Sequence, residues 1–361
     1  MATGSAKSSS ATVRIALVGL GDRGRTTLRL LSGIEGAEVT ALCDLTPANV
    51  HTALELAISC GSDNFIHPAS VLCADGPQAY LSACHAQDVD LVYICSDWNS
   101  HTTIAIEALR AGKHVAIEVP AATTLEDIRL LVSTAQASRQ QCFLLENVCF
   151  EQQVIDAIAA IRRGEIGELV HAEGSYYHCL GNRWAPWRLD INRQQRGDLY
   201  PTHELGPICQ ALGIGHSDRL QTLVCMDSAP LTGPKAYEAV MHAAAPDFQN
   251  GDHTTTLIRT ARGRTIILKH NVLTEQPYER QLTFIGTQGR ITLNDTGKAS
   301  HEQMSLNMNR RLVHCLRTGE PWDITLEDLA TWCAVVPLSR LSIERGFAPV
   351  AFPEFSHPTS R

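Results

Sequence analysis

The sequence predicts an α/β protein: a Rossmann-type, doubly wound parallel sheet, followed by an α+β domain with an open, mainly antiparallel sheet. Three observations carry this. Val13 to Gly24 reads VRIALVGLGDRG, an aliphatic run, then glycines at 19, 21 and 24, then a polar, helix-compatible segment from Asp22 to Leu31. From Val13 to Leu145 strand-like runs alternate with amphipathic helical patterns, and short right-handed crossovers then make the sheet parallel. Beyond Phe150 strand patterns follow one another without long helices between them, which is the mark of antiparallel pairing.

The opening turn is the first element. Its three glycines serve a tight turn, close approach of a pyrophosphate to the backbone, and packing of helix on strand. The pyrophosphate is expected on the helix amino terminus, where the macrodipole and N–H groups favour an anion. The second strand, Ala37 to Cys43, ends in Asp44, twenty residues after Gly24, where a carboxylate suits the ribose hydroxyls of the adenosine. Leu45 and Thr46 follow and offer no cation for a 2′-phosphate, so NAD is expected rather than NADP. A plainer alternative keeps Asp44 as a turn or helix-capping residue.

Later strands are expected at Leu91 to Cys95, His114 to Ile117 and Cys142 to Leu145, with helices near 47–60, 76–86, 100–111 and 124–139. Ligands of such sheets bind at the carboxyl ends of the strands. The residues there are Ser96, Asp97, Trp98, Asn99 and His101, then Glu118, Val119 and Pro120, then Glu146 and Asn147. Three polar clusters at successive strand ends point to a lined cofactor cleft, although singly Asn99 reads as a helix cap and Trp98 as an edge cover.

The second domain opens with a helix near 151–163 and the strand in GEIGELVHAEGSYYH. A Trp-, Arg- and Asn-rich loop is expected from Gly181 to Asp198, with a short helix after YPTH. Strands are expected at Leu220–Met226, Thr254–Thr260, Thr265–Asn271 and Gln281–Ile285, flanked by helices near 301–317 and 325–345. The organisation is thus a disordered leader (1–12), an NAD-binding domain (13–148), and a substrate and oligomerisation domain (149–361).

Composition bounds the function. The 361 residues, 44% of them hydrophobic, suffice for two cores, and a net charge of −8 argues against nucleic-acid or anionic-membrane partners. No apolar run approaches a membrane span, and the small polar start MATGSAKSSSAT lacks a hydrophobic signal region, so a cytoplasmic location is expected. Twelve cysteines without CxxC spacing read as reduced thiols. HELGP at 203 and HEQMS at 301 lack the second histidine of HExxH, so no metal is expected.

GLGDRG, SDWNSH, GKHVAIEVPAA and LLEN together resemble the Gfo/Idh/MocA dehydrogenase superfamily. Most of its oxidoreductases carry a catalytic lysine in an EKP motif after the fifth strand, and here that position is Val119. EVPAA with EGSYYH (173–178), RGDLYPTHELGPI (196–208), DHTTTLIRT (252–260), PYER (277–280) and RLVHCLRTGEP (311–321) is similar to glycoside hydrolase family 109, the NAD-dependent α-N-acetylgalactosaminidases. The likeness runs from about 13 to 355. Asp97 stands where members usually have proline, and His301 to Ser305 replaces an HGGM-like motif.

The resemblance implies contacts with NAD from Gly19, Gly21, Asp22, Arg23, Gly24, Asp44, Trp98, Asn99, His101, Glu118, Val119 and Asn147. It implies a glycoside held by Arg188, Pro201, Thr202, Tyr278 and His178, with His203, Tyr176 and Tyr200 as the catalytic set. The implied cycle oxidises carbon 3 of the sugar, eliminates across carbons 1 and 2, adds water and reduces carbon 3 again, which makes such enzymes an exception to the two-carboxylate rule. His203 is the first choice of base because imidazole titrates near neutrality. The phenols join if a cation such as Arg188 lowers their pKa.

Three alternatives remain open from the residues. Tyr176 and Tyr177 are also the two faces of a strand, and His203 a helix cap. A conventional NAD-dependent sugar or inositol dehydrogenase shares the first domain. A catalytically silent NAD sensor shares it too, but has no need of the tyrosines and His203. An open sheet also suits a homodimer.

Overall fold

The computed structural model describes residues 12–60, 65–295 and 298–355, without the side chains of residue 182 and residues 298–300. The expected leader falls almost wholly outside them. Two compact units emerge: one from residues up to 122 with 129–145 and 305–326, the other from 123–128, 146–304 and 327 onward.

The first unit holds β1 (Val13–Val18), α1 (Asp22–Leu31), β2 (Ala37–Asp44), α2 (Pro47–Cys60), β3 (Leu72–Asp75), α3 (Ala79–His85), β4 (Leu91–Ile94), α4 (Trp98–Arg110), β5 (His114–Glu118) and β6 (Cys142–Leu145). These strands form one six-stranded sheet in the order β3-β2-β1-β4-β5-β6, and every pairing is parallel. Helices on both faces of a parallel sheet explain the near-continuous apolar strands: every residue of LVYI in β4 is buried. Strand order reverses between β1 and β4, the place where such sheets open a ligand crevice. β3 is absent from the sequence reading because LCAD is a short edge strand, alternately half-buried and exposed, whose partner β2 and not its own composition fixes it.

α5 (Leu125–Ser138) leads into β6, and a 3₁₀ turn (Asn147–Phe150) and α6 (Gln152–Arg162) follow it. The second unit then carries β7 (Leu169–Tyr177), α7 (Pro186–Gln194), α8 (Thr202–Leu212), β8 (Leu220–Asp227), α9 (Gly233–Met241), β9 (Thr254–Thr260), β10 (Thr265–Asn271), β11 (Glu279–Gly286) and β12 (Arg290–Asp295). α10 (Lys298–Thr318), α11 (Leu326–Cys333), α12 (Val335–Glu344) and β13 (Val350–Ala351) close the chain. The second sheet runs β12-β11-β7-β10-β9-β8-β13, and only β7 and β10 pair in parallel. α8 packs on β7, β10 and β11. Leu257 and Met226, on adjacent strands and one face, stay exposed.

Three local expectations are corrected. Residues 186–194 are helical rather than loop: Pro186 suits the first turn, and Leu189, with Trp184, joins Tyr237 and Phe248 in a small satellite core that also fixes the unanticipated α9. The helix expected over 325–345 breaks at Ala334, three residues before Pro337, whose missing N–H leaves the carbonyl of Cys333 without its helical donor. α4 is capped by Asp97, whose carboxylate accepts from the N–H of Asn99 at 3.0 Å, so Asn99 is not itself the cap.

Candidate functional site

In the first unit the glycine turn has the shape a pyrophosphate needs. Gly19 has φ +90°, and a Cβ there would stand 2.4 Å from the backbone nitrogen of Ser96; a Cβ on Gly24 would stand 2.0 Å from the carbonyl oxygen of Gly19. Glycine is therefore required at both by backbone that cannot move aside. A Cβ on Gly21 would meet nothing within 4 Å, and no side chain caps α1, so open space lies over the start of that helix. These features fit a dinucleotide's pyrophosphate.

Asp44 ends β2, with Oδ2 accepting from the N–H of Leu20 at 2.6 Å and Oδ1 from the N–H of Thr46 and Nδ2 of Asn49 at 2.8 and 3.0 Å. The carboxylate thus ties the glycine turn to the start of α2, and of its roughly four acceptor positions one is left. The plain capping role is present and leaves an acceptor position for the expected ribose contact.

Other residues expected around NAD take structural partners. Nε of Arg23 meets Glu118 at 2.7 Å, and its Nη1 reaches Ser305 at 3.3 Å. His101 is buried, its ring nitrogens 2.9 and 3.0 Å from the carbonyls of Pro120 and Ser96, so it ties together the ends of β4 and β5. Trp98 and Val119 are buried, Asp22 and Asn99 are exposed, and Asn147 is buried in the second unit.

In the second unit the sugar-site candidates do come together. Tyr176 projects from the buried face of β7, and five rings surround it: His203 edge-on at 5.3 Å, His178 edge-on at 5.7 Å, Tyr278 edge-on at 6.1 Å, Tyr200 at 6.1 Å and His270 stacked at 6.0 Å with an 11° tilt. His178 lies two residues along and touches Tyr278 edge-on at 5.3 Å. The guanidinium of Arg188, from the first turn of α7, stands 5.3 Å over the Tyr200 ring. Pro201 and Thr202 are buried at the start of α8, which carries His203 inward.

His203 is not a bland helix cap. Its Nδ1 is 2.7 and 3.0 Å from the two carboxylate oxygens of Glu146, and both side chains are buried. Burial alone would raise the Glu146 carboxyl. The charge and hydrogen bonding of His203 outweigh it, helped by the N–H of Val148 at 3.1 Å, and hold Glu146 below the usual carboxylate range. An ionised carboxylate only accepts, so Nδ1 of His203 is the nitrogen that donates to Glu146, and Nε2 is the one that carries the lone pair whenever the ring is neutral.

The condition set for the phenols is not met at Tyr176. Burial pushes its pKa well above the ordinary phenol value, Tyr200 and Tyr278 push the same way, and the downward pull of Arg188 does not compensate. Tyr176 is a proton donor in the resting protein rather than a standing base.

Sequence reasoning passed over three members of this region. Glu146 was visible only as a strand-end polar residue. His270 shares a buried face with Ile266 and Leu268, and that polar interruption of an apolar stripe was the available signal. Asp198, two residues before Tyr200, is fully buried and pushed up to about 7 by desolvation, partly offset by bonds from Thr256 and the N–H of Tyr200. Among the described residues no group of three or more His, Cys, Asp or Glu is placed to hold a metal ion, and no helix is long and apolar enough to cross a membrane.

Comparison with known proteins agrees with both units. Residues 13–145 match the oxidoreductase family with an NAD-binding Rossmann fold, and residues 150–297 and 290–359 match the C-terminal domain of glycosyl hydrolase 109. The chain is 38% identical to a glycosyl hydrolase family 109 protein of Phocaeicola vulgatus over 96% of this chain and 84% of that one. It is 37% identical to another from Porphyromonas gingivalis, over 96% and 85%. Among solved structures it is similar in fold to scyllo-inositol dehydrogenase from Lactobacillus casei with bound NAD(H) and scyllo-inositol, with TM-score 0.75, 17% identity and coverage of 94% and 99%. GenD2 from gentamicin A biosynthesis, in complex with NAD, gives TM-score 0.76 at 14% identity, over 98% and 99%.

Proposed function

The chain belongs to glycosyl hydrolase family 109, with NAD as its cofactor, and from that premise we propose that it cleaves α-N-acetylgalactosaminides or related glycosides by a redox cycle with no net consumption of NAD. The observation that carries this reading is the Glu146–His203 pair beside Tyr176. The carboxylates around the ring cluster, Glu146, Asp198 and Glu204, are fully buried, and Glu146 is bonded to His203. The cluster therefore offers an imidazole and phenols, not the two flanking carboxylates of an ordinary glycosidase.

Gly19, Gly21, Gly24 and the start of α1 would hold the pyrophosphate, and Asp44 the ribose. When bound, NAD supplies a reversible hydride acceptor for carbon 3 of the sugar. The carbon 3 hydroxyl gives up its proton to water as it becomes a ketone and regains one when carbon 3 is reduced; the ketone makes the proton on carbon 2 acidic, and Nε2 of His203 takes it. The resulting imidazolium is stabilised by Glu146 through Nδ1–H. Tyr176 and Tyr200 donate to sugar oxygens, while Arg188, Pro201, Thr202, Tyr278 and His178 shape the sugar's surroundings.

The purified protein, incubated with an aryl α-N-acetylgalactosaminide in deuterated water, tests this directly. Cleavage without net NADH and with deuterium at carbon 2 of the released sugar is the expected outcome. Cleavage without that label removes the redox mechanism, and NADH build-up without cleavage identifies a dehydrogenase. On the same reading the chain is a homodimer through the face of the second sheet that carries Leu257 and Met226, and light scattering returning a monomer mass removes that part.

A further inference from the structure

Tyr176 and an exposed arginine meet opposite nitrogens of one imidazole. Oη of Tyr176 is 2.9 Å from Nδ1 of His178, and Nε2 of His178 is 3.3 Å from Nη2 of Arg183. Arg183 is exposed at the end of the short 3₁₀ turn Gly181–Arg183, and the same Nη2 is anchored on the carbonyl of Cys179 at 3.1 Å. A guanidinium has donors and no acceptor, so Nε2 of His178 faces it as a lone pair. A neutral imidazole with its lone pair on Nε2 carries its proton on Nδ1. An imidazolium would turn a second N–H against the guanidinium and set like charges together. The Nδ1 proton then points at Tyr176, whose oxygen accepts it, and the phenol's own proton is turned away from His178 toward another acceptor.

We infer that Arg183 is a positioning residue: by fixing the Nδ1–H tautomer of His178 it makes Tyr176 a directed proton donor to the sugar oxygen that leaves carbon 1. The role in turnover rests on the glycosidase reading above. As His203 takes the proton of carbon 2 and the bond from carbon 1 to the leaving oxygen breaks, the Tyr176 proton passes to that oxygen. The phenolate left behind keeps the His178 N–H as a donor. Water addition reverses the traffic: Tyr176 takes a proton from the incoming water as its oxygen bonds to carbon 1, and His203 returns one to carbon 2. Protons balance over the two steps. Burial favours the neutral phenol and so keeps this proton on Tyr176 until an acceptor arrives.

The test is the tautomer of His178, read by nitrogen-15 NMR in histidine-labelled protein and assigned by loss of the signal in His178→Gln. The expected result is Nδ1–H in the unaltered protein and in Arg183→Lys, whose ammonium is also donor-only, and substantial Nε2–H in Arg183→Met. With an aryl glycoside, Arg183→Met should lose about tenfold in kcat at unchanged KM, and Arg183→Lys should recover most of it. Arg183→Met retaining Nδ1–H alone overturns the inference whatever the substrate, and a switched tautomer with undiminished kcat overturns the positioning role. Should the unaltered protein cleave no glycoside, the glycosidase reading fails by itself, and the tautomer measurement still decides what Arg183 does.

Discussion

Nδ1 of His203 meets both carboxylate oxygens of Glu146, at 2.7 and 3.0 Å, inside the second unit. The two residues are 57 apart in sequence, and each reaches the other because its own element is held. Glu146 follows β6 and is fixed by the N–H of Val148, while α8 brings His203 to it. The pair leaves Nε2 as the nitrogen of His203 for the proposed base role, and that assignment can be tested at either partner.

Glu146→Gln retains an acceptor for the Nδ1 proton but removes the charge that stabilises an imidazolium. Turnover should fall by about 10- to 100-fold with little change in KM, and His203→Ala by roughly a hundredfold or more. Steady-state kinetics on the two variants checks this. A raised KM with kcat unchanged would identify a binding role instead.

Gly206 explains how close α8 approaches. A Cβ there would stand 3.0 Å from Cζ3 of Trp332 and 3.1 Å from both Sγ of Cys149 and Cγ of Glu146, all side chains in a packed interior. Gly206→Ala should push the helix back by a few tenths of an ångström. Overpacking of this kind costs about 1–3 kcal/mol, to be read in denaturant midpoints, and turnover should fall with it as the His203 contact lengthens.

Much of this was legible in the sequence, and the rest was not for identifiable reasons. The Rossmann half announced itself because β1, α1 and the glycines between them are local: each residue's role depends on its near neighbours. The strands over 254–271 were legible for a similar reason, their two-residue alternation. Glu146 and His270 became site residues only through pairing across the fold. α7 was hidden because its helix rests on a satellite core built by Trp184, Tyr237 and Phe248, residues spread over 65 positions. Tyr176 shows the remaining limit: its neighbours other than His270 were inferred from the family likeness, but the weight of burial against Arg188 needed the packed structure.

Gly19→Ala tests the nucleotide turn by itself. The substitution forces a side chain onto φ +90° and to 2.4 Å from the nitrogen of Ser96, so the turn must open. Retained dinucleotide, read by absorbance after denaturation of purified protein, should fall by at least tenfold. Full retention would show that the turn is not the pyrophosphate cradle.

Asp198 yields a prediction in pH. Desolvation raises its carboxyl from 3.8 to about 7, with Glu204 beside it also pushed up. Nδ1 of His270 is 4.0 Å away and does not compensate, because burial, then Arg188 and the other histidines, pull His270 down to about 3. A raised carboxyl means that the folded chain holds a proton the unfolded chain has released. Its contribution to stability therefore falls as pH rises from about 4 to 7, by an amount on the order of 4 kcal/mol. His270 acts in the opposite sense: its depressed value makes folding gain stability as pH rises from about 3 to 6.5, so in the unaltered protein the two slopes partly cancel. Asp198→Asn keeps an acceptor for Thr256 but cannot titrate. Its unfolding free energy should therefore climb relative to the unaltered protein between pH 4 and 7 and run parallel to it above. Parallel curves across the whole range in urea titrations at stepped pH would mean that Asp198 is ionised in the fold, and that something other than His270 neutralises it.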